Sequence, residues 1–187
     1  ANPSSLYEPA ILAEQQLASA RGKVARSLGC AAKEIYFTAC GSESNNIAIL
    51  GAAMARKAWG NKIVVTGFEH PSVQRPIRAL KDQGFEVVEI LPEADGRLNV
   101  DRLVAAVDKN TVLACCMAVN NETGALQDIK RFADGVKAKN SRTAVHVDAV
   151  QGFGKLDFTP RRLGADLLTL SGHKLHAPKG VGRSEER

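Results

Sequence analysis

Lys174 is the residue whose type and position most directly suggest chemistry. It lies between His173 and His176, directly after an apolar run at 166–171. A lysine at the end of a buried strand either reaches water or holds its amine in a pocket, because burial disfavours the ammonium form. In a pocket the amine could attack a carbonyl carbon and form an imine. The residues around Lys174 leave both interpretations open.

Further polar groups follow other apolar runs. Asp148 ends the run "TAVHVDAV", where a buried carboxylate needs a cation or strong donors nearby. Gly41 and Ser42 lead into an amphipathic stretch; free backbone N–H groups at a helix start attract anions, although a plain helix cap explains Ser42 equally well. His70 precedes Pro71 and suits either proton transfer or an ordinary loop.

The remaining candidates are less specific. Asn120 and Asn121, in "VNNETG", offer amide groups at a strand exit or belong to a simple loop. A metal site made of His146 and Asp148, or of the two histidines beside Lys174, lacks a third ligand at the usual spacing. His146 is therefore predicted to be a packed, hydrogen-bonded core histidine.

The apolar runs predict the elements that position these side chains. Strand-like runs occupy 34–40, 62–67, 86–91, 111–119, 143–150 and 166–171, and helix-like stretches occupy 9–28, 42–59, 71–84, 100–110 and 127–140. Gly29 suits a left-handed cap that ends the first helix. Alternating strands and helices predict an α/β fold, with a mostly parallel sheet covered on both faces. Ligands of such sheets bind beyond the carboxyl ends of the strands, where the candidate residues lie.

Composition narrows the class of protein. The chain has 187 residues, 44% of them hydrophobic, and a net charge of +5, which predicts one domain or a piece of a larger one. Basic and acidic residues are interspersed and aromatic residues are few, so nucleic acid is not an expected partner. No stretch is long and apolar enough for a membrane span, and no signal peptide pattern is present, so the cytoplasm or an organelle matrix is expected. The four cysteines have no metal-ligand spacing and are predicted to be reduced core residues.

The residues that follow the strands together offer anion-binding groups at Gly41 and Ser42 (the anion cradle), a carboxylate, a histidine, amide groups and an amine. This inventory suits pyridoxal 5'-phosphate, because the phosphate needs a cradle, the ring nitrogen needs an acidic partner and the aldehyde needs an amine.

Six ordered motifs carry a resemblance to a known family. They are "NPSS", "GSESNNIAI", "EHPSV", "NNETGALQDI", "HVDAVQGFGKLDF" and "SGHKLHAPKGVG". The chain resembles the cysteine desulfurases, which are class V aminotransferase-like enzymes of pyridoxal-phosphate fold-type I. The resemblance implies that residues 1–187 form the pyridoxal-phosphate-binding large domain, a three-layer α/β sandwich. The domain would be truncated, without the small C-terminal domain and its sulfur-accepting cysteine loop.

The resemblance also implies roles for individual residues. Lys174 would form the Schiff base and then remove the substrate α-proton, and Asp148 would pair with the ring nitrogen. His70 would stack on the ring and assist proton transfer. Asn121 and Gln151 would lie near the phenolic oxygen. The phosphate would be held by Gly41, Ser42, Ser171 and His173.

The implied reaction converts L-cysteine to L-alanine. The sulfur would pass as a persulfide to an acceptor, such as a scaffold protein for iron–sulfur cluster assembly or the tRNA thiolation route, and the enzyme would be a homodimer. None of Cys30, Cys40, Cys115 and Cys116 matches the family's nucleophile, so activity is expected to need the C-terminal part, which a second chain could supply.

The missing nucleophile and one further departure from the family keep alternatives open. The ending "GVGRSEER" stands where relatives have an apolar strand, which predicts the loss of that strand and an unpaired sheet edge. A non-catalytic module or inactive fragment that keeps the fold and binds a partner is one alternative. Within the family, a selenocysteine lyase or a class V aminotransferase is another.

Overall fold

The computed structural model describes residues 2–178, 180 and 182–186, the last four of these by their backbone only. Its strands are β1 (Ile35–Thr38), β2 (Lys62–Thr66), β3 (Glu86–Ile90), β4 (Thr111–Met117), β5 (Ala144–Asp148), β6 (Leu167–Ser171) and β7 (Gly182–Glu186). Its α-helices are α1 (Glu8–Leu28), α2 (Gly41–Ala55), α3 (Pro71–Asp82), α4 (Val100–Ala106), α5 (Ile129–Lys139) and α6 (Pro160–Leu163). Short 3₁₀ turns span Ala32–Glu34 and Gly172–Leu175.

The strands form one sheet in the order β1-β7-β6-β5-β4-β2-β3. Neighbours from β3 to β6 are parallel. β7 is antiparallel to both β1 and β6, so β1 points the same way as the five parallel strands. The predicted loss of a strand after "PKGVG" is therefore wrong, because 182–186 fills the place between β1 and β6. Lys179 and Val181 of that motif lie outside the described residues.

Helices cover both faces of the sheet, which confirms the predicted three-layer α/β sandwich. On one face, apolar residues of α1, α4 and α5, such as Leu28, Leu103 and Phe132, pack against alternate strand residues. On the other face, α2 and α3 contribute residues such as Ile49 and Leu80. Strand side chains alternate between the two faces, so β2, β3, β4, β5 and β6 each contribute to both cores.

Helix ends explain where the site residues begin. Gly29 ends α1 with φ 65°, the left-handed cap expected from its residue type. Pro71 occupies the first turn of α3, and His70 is its N-cap, which confirms the helix predicted to begin at residue 71. The second helix ends at Ala55, four residues before the predicted end.

The four cysteines do not all lie in the core. Cys115 and Cys116 are buried in β4, as predicted, and burial raises the pKa of both thiols well above the usual value. Cys30 is only partly buried and Cys40 is exposed, so the prediction of a core position is wrong for Cys40. Cys40 is the N-cap of α2, where the chain turns from the sheet edge into the helix. Among the described residues, no helix is both long and apolar enough to cross a membrane.

Candidate active site

A cavity of about 290 Å³ opens at the carboxyl ends of the central strands. It lies where chains leave β4, β5 and β6 and where α2 and α3 begin, as expected for an α/β sheet. All nine residues predicted from the sequence line it: Gly41, Ser42, His70, Asn121, Asp148, Gln151, Ser171, His173 and Lys174. Its wall also contains Cys40, Asn45, Ser72, Met117 and Val150. The strand exits therefore converge on one space.

Asp148 provides a buried carboxyl group in this wall. Its side chain is 5% exposed, and its oxygens accept hydrogen bonds from Asn45 Nδ2 at 2.8 Å and from the Val150 N–H at 3.0 Å. Burial raises its pKa, while these two bonds and the nearby His70 oppose the rise. Within the described part of the chain no cation pairs with Asp148, so the carboxylate could hold a positively charged group of a ligand.

The start of α2 provides a positive potential, opposite in sign to that of the Asp148 carboxylate. Its N-cap, Cys40, makes no side-chain cap hydrogen bond, and the first bond of the helix is from Ser44 N to Cys40 O. Within the part of the chain that the structure describes, the N–H groups of Gly41, Ser42 and Glu43 thus have no hydrogen-bond partner at the positive end of this 15-residue helix. Ser42 lies inside the helix, so the alternative that it is a plain N-cap is wrong.

Gly41 packs tightly against the residues at the ends of β5 and β6. A Cβ atom at Gly41 would lie 3.1 Å from the Ser171 Cβ and 3.3 Å from Val150 Cγ2. Ser171 Oγ lies 2.7 Å from His173 Nδ1, which places a hydroxyl and an imidazole beside the free N–H groups. This arrangement fits a phosphate group.

Lys174 enters the cavity from the 3₁₀ turn that directly follows β6. Its side chain is exposed, and within the described ranges its amine has no hydrogen bond or ion pair. The amine and the Asp148 carboxylate line the same cavity, so one ligand can contact both. Lys174 therefore lines the cavity and reaches solvent at the same time.

His70 is held on one edge by the start of α3. Its Nδ1 accepts a hydrogen bond from the Ser72 N–H at 3.1 Å and lies 2.8 Å from Ser72 Oγ. Ser72 Oγ in turn accepts from Asn45 Nδ2 at 2.8 Å. The same Asn45 amide donates to Asp148, so a continuous chain of hydrogen bonds joins the carboxylate to the imidazole.

Glu69 is a second buried carboxyl group close to the site. Its Oε1 accepts from Thr66 Oγ1 at 2.5 Å and from the Met117 N–H at 2.6 Å, whereas its Oε2 has no hydrogen-bond partner. Burial raises its pKa to about 8; the Thr66 and Met117 bonds oppose the rise, and Asp148 adds to it. Glu69 is therefore a neutral acid near pH 7.

Two sequence candidates lie outside the cavity wall. His146 is fully buried in β5, with Nε2 3.2 Å from Thr169 Oγ1, and burial lowers its pKa to about 3. It is the packed, hydrogen-bonded core histidine that was predicted. Asn120 holds its own loop: its Nδ2 donates to Phe68 O and its Oδ1 accepts from the Glu122 N–H.

Sequence reasoning missed Asn45, Ser72 and Glu69. Asn45 lies one helical turn after Gly41 and Ser42, so helical periodicity could have placed it on the same face as the anion cradle. Glu69 precedes His70 at the end of a buried strand, a position where a charged residue needs an explanation. Ser72 carried no signal, because its importance comes from contacts with distant residues.

Comparisons with known proteins agree with this geometry. The family model for aminotransferase class-V matches residues 1–183. The chain is 42% identical over 170 residues to cysteine desulfurase IscS of Haemophilus influenzae (strain PittGG), covering 91% of this chain and 42% of that protein. It is 40% identical over 185 residues to a NifS/IcsS protein homolog of Lactobacillus delbrueckii subsp. bulgaricus, covering 97% and 47%. The chain thus spans less than half the length of these curated relatives.

Solved structures agree as well. A NifS-like protein superposes with a TM-score of 0.96 at 37% identity, covering all of this chain and 51% of the other. SspA in complex with cysteine superposes with a TM-score of 0.94 at 36% identity, covering all of this chain and 53% of the other. On the match over residues 1–183, the chain belongs to the aminotransferase class-V family.

Proposed function

We propose that this chain is the pyridoxal-phosphate-binding part of a cysteine desulfurase. The whole enzyme would convert L-cysteine to L-alanine and pass the sulfur on as a persulfide. The names of the relatives support the reaction class, and the cysteine complex of a structural neighbour supports the substrate. Residues 1–187 would form the large domain, and the sulfur-accepting cysteine would come from a further segment or chain.

One observation carries the proposal. A single cavity holds an unpaired lysine amine, a buried carboxyl group without a cation, and a helix start with free N–H groups. Each has a counterpart in pyridoxal phosphate: the aldehyde, the ring nitrogen and the phosphate. Asp148 fits the ring nitrogen because a positive charge there would compensate for its burial. The cradle around Gly41 fits the phosphate because N–H groups, a hydroxyl and an imidazole surround it.

When bound, pyridoxal phosphate supplies an aldehyde that condenses with amines and a protonated ring that withdraws electrons from the α-carbon of an amino acid. Lys174 Nζ would hold the cofactor, and the released amine would take the α-proton of the substrate. The Asp148 carboxylate would keep the ring nitrogen protonated. His70 would lie against the ring and move a proton through Nε2, while Asn121 and Gln151 would orient the phenolic oxygen.

The test of cofactor binding is spectroscopic. The purified chain, incubated with pyridoxal 5'-phosphate and then desalted, is expected to stay yellow and to lose the visible band on borohydride reduction. Peptide mapping of the reduced protein should place the adduct on Lys174. Lys174→Ala should give a colourless protein, whereas Lys155→Ala, which removes an exposed lysine outside the cavity wall, should bind like the wild type. A wild-type chain that stays colourless, or an adduct spread over several lysines, would refute the proposal.

The reaction itself needs a separate assay. Sulfide and alanine formation from L-cysteine should be measured for the chain alone and together with the C-terminal half of a relative. Activity only in the mixture is the expected result, because the family's nucleophile has no counterpart among Cys30, Cys40, Cys115 and Cys116. Cofactor binding without activity in either sample would favour the non-catalytic module instead.

The proposal extends to partners and compartment. It includes a homodimer, which sedimentation velocity can test, and a scaffold protein that accepts sulfur for iron–sulfur clusters or tRNA thiolation. It places the protein in the cytoplasm or an organelle matrix, where the reducing environment keeps thiols such as Cys115 and Cys116 free.

A further inference from the structure

The hydrogen-bond chain from Asp148 to His70 has a direction that follows from its donors. Asn45 Nδ2 can only donate, and it lies 2.8 Å from both Asp148 Oδ2 and Ser72 Oγ. Ser72 Oγ therefore accepts from Asn45, which leaves its own proton free for His70 Nδ1 at 2.8 Å. The four side chains are linked in one order, from Asp148 through Asn45 and Ser72 to His70.

The hydrogen-bond donors around His70 also identify which ring nitrogen carries the proton. The Ser72 backbone N–H can only donate, and it points at His70 Nδ1 from 3.1 Å. A proton on Nδ1 would face this N–H, so Nδ1 must be the unprotonated nitrogen that caps α3. The ring proton then lies on Nε2, which has no hydrogen-bond partner in the described part of the chain.

We propose that Ser72 and Asn45 are positioning residues that hold His70 in the Nε2–H tautomer, with Nε2–H as its donor toward the cavity. The meaning of this inference for catalysis rests on the proposed function, because the donor would act on a ligand held by Lys174 and Asp148. Ser72 acts on His70 directly, and Asn45 acts through Ser72. A neutral ring with its proton on Nε2 can lie against a cofactor ring and still donate a proton at its free edge.

Burial explains how the chain of hydrogen bonds keeps its geometry. Asn45 is 1% exposed and Ser72 is 8% exposed, so water does not compete for their bonds. Among the described residues Asn45 Oδ1 has no hydrogen-bond partner, so the two bonds that Nδ2 donates are what orient the amide. Turning the amide over would place Oδ1 against the Asp148 carboxylate. The orientation of Asn45 thus depends on Asp148, and His70 is coupled to the carboxylate.

The test reads the tautomer by ¹⁵N–¹H correlation spectra of the imidazole rings in cofactor-free protein. The chain has four histidines, and His70→Gln identifies the His70 signals by their loss. Wild-type His70 at alkaline pH should show the pattern of a single Nε2–H tautomer. Ser72→Ala keeps the backbone N–H that donates to Nδ1 and removes the hydroxyl, so it should shift both ring nitrogens part of the way toward the averaged values of a tautomer mixture. Ser72→Thr should restore the wild-type pattern because it keeps the hydroxyl.

Asn45→Leu tests the second link, and Asn46→Ala is its matched control. Asn46 is the adjacent amide; its Nδ2 donates to the Ser42 carbonyl at 2.8 Å and to the Ser72 carbonyl at 3.5 Å, but not to the Ser72 hydroxyl or to Asp148. The Leu variant should change the His70 signals by less than Ser72→Ala, because Ser72 Oγ stays in place, and the Asn46 variant should leave them unchanged. Circular dichroism on each variant confirms that the fold is retained.

The outcomes separate this inference from the proposed function. A wild-type spectrum with the proton on Nδ1, or a Ser72→Ala spectrum identical to the wild type, would overturn the inference even if the chain turns yellow with pyridoxal phosphate. A confirmed Nε2–H tautomer in a chain that never binds the cofactor would leave the positioning role standing and refute the proposed function. If Ser72→Ala fails to fold, the wild-type and Ser72→Thr spectra still decide the tautomer.

Discussion

Replacing Glu69 with glutamine is the sharpest test of the electrostatics beneath the site. Glu69 is 3% exposed, with two donors on Oε1 and none on Oε2. Glutamine has the same shape and can keep its oxygen in the Oε1 position, where the bonds from Thr66 and Met117 persist. It cannot ionise. The substitution therefore removes the titration of residue 69 while the packing stays the same.

The magnitude follows from the shift in pKa. Burial raises the pKa of Glu69 from 4.5 to about 8, and each unit corresponds to about 1.36 kcal/mol. Between these two values the folded chain keeps a proton that the unfolded chain has released, so stability falls as the pH rises. The full difference is roughly 5 kcal/mol, of which roughly 3 to 4 kcal/mol falls between about pH 5 and pH 8.

The assay is urea unfolding of cofactor-free protein, followed by far-ultraviolet circular dichroism at several pH values. The free energy of unfolding of the wild type, relative to Glu69→Gln, should fall by that amount from about pH 5 to pH 8. Glu122→Gln, which changes an exposed carboxylate, should follow the wild-type curve. Parallel curves for the wild type and Glu69→Gln would refute the reasoning, because they would mean that Glu69 has the same pKa in both states.

Two further predictions concern the core. Burial lowers the pKa of His146 from 6.5 to about 3, so the stability that the neutral ring contributes is lost as the pH falls below 6.5. In urea titrations, the free energy of unfolding of the wild type, relative to His146→Leu, should fall by roughly 2 kcal/mol between about pH 7 and pH 5. Thr169→Val keeps the imidazole ring and should still show this loss. A Cβ at Gly60 would lie 2.2 Å from the Asn110 carbonyl oxygen, whereas one at Gly51, inside α2, would meet nothing within 4 Å. Gly60→Ala should therefore destabilise the chain by about 1–3 kcal/mol in thermal unfolding. Gly51→Ala should stabilise it by up to about 1 kcal/mol in the same experiment. Equal effects of the two glycine substitutions would contradict the reasoning about space.

The parallel part of the sheet could be predicted from the sequence because each strand is an apolar run bounded by polar residues. β4, at Thr111–Met117, is buried at every position, and such runs are typical of strands covered on both faces. β7 could not be predicted in this way, since "GRSEE" has no apolar pattern. It is defined by backbone pairing with β1 and β6, which does not depend on side-chain polarity.

A close backbone contact at the start of β7 requires glycine at position 182. A Cβ atom there would lie 2.1 Å from the Cys40 backbone carbon, so the strand begins where only glycine allows the two backbones to approach. This contact joins the start of β7 to the N-cap of α2, next to the anion cradle. The sequence contains this glycine, but it does not reveal that the Cys40 backbone lies against it.

Some residues of the candidate site could be predicted from the sequence, but the contacts that link them could not. Gly41, Asp148 and Lys174 could be predicted because each lies at the end of a strand or within three residues after it, and parallel strands end at a common edge. The links between them could not, because Asn45 bonds to Ser72 across 27 positions and to Asp148 across 103. Sequence order contains no information about such contacts until the topology is known.

The two buried carboxyl groups beside the cavity have environments that drive them to different charge states. Asp148 accepts two N–H donors and faces a space where a cation can bind, whereas one oxygen of Glu69 has no partner and the group keeps its proton to about pH 8. If Glu69 were ionised at neutral pH, its charge would raise the pKa of Asp148 and weaken its hold on a protonated ring nitrogen. A neutral Glu69 adds no negative charge that would raise the pKa of Asp148 further. Affinity for a cationic ring should therefore depend on the protonation of a residue that does not line this cavity.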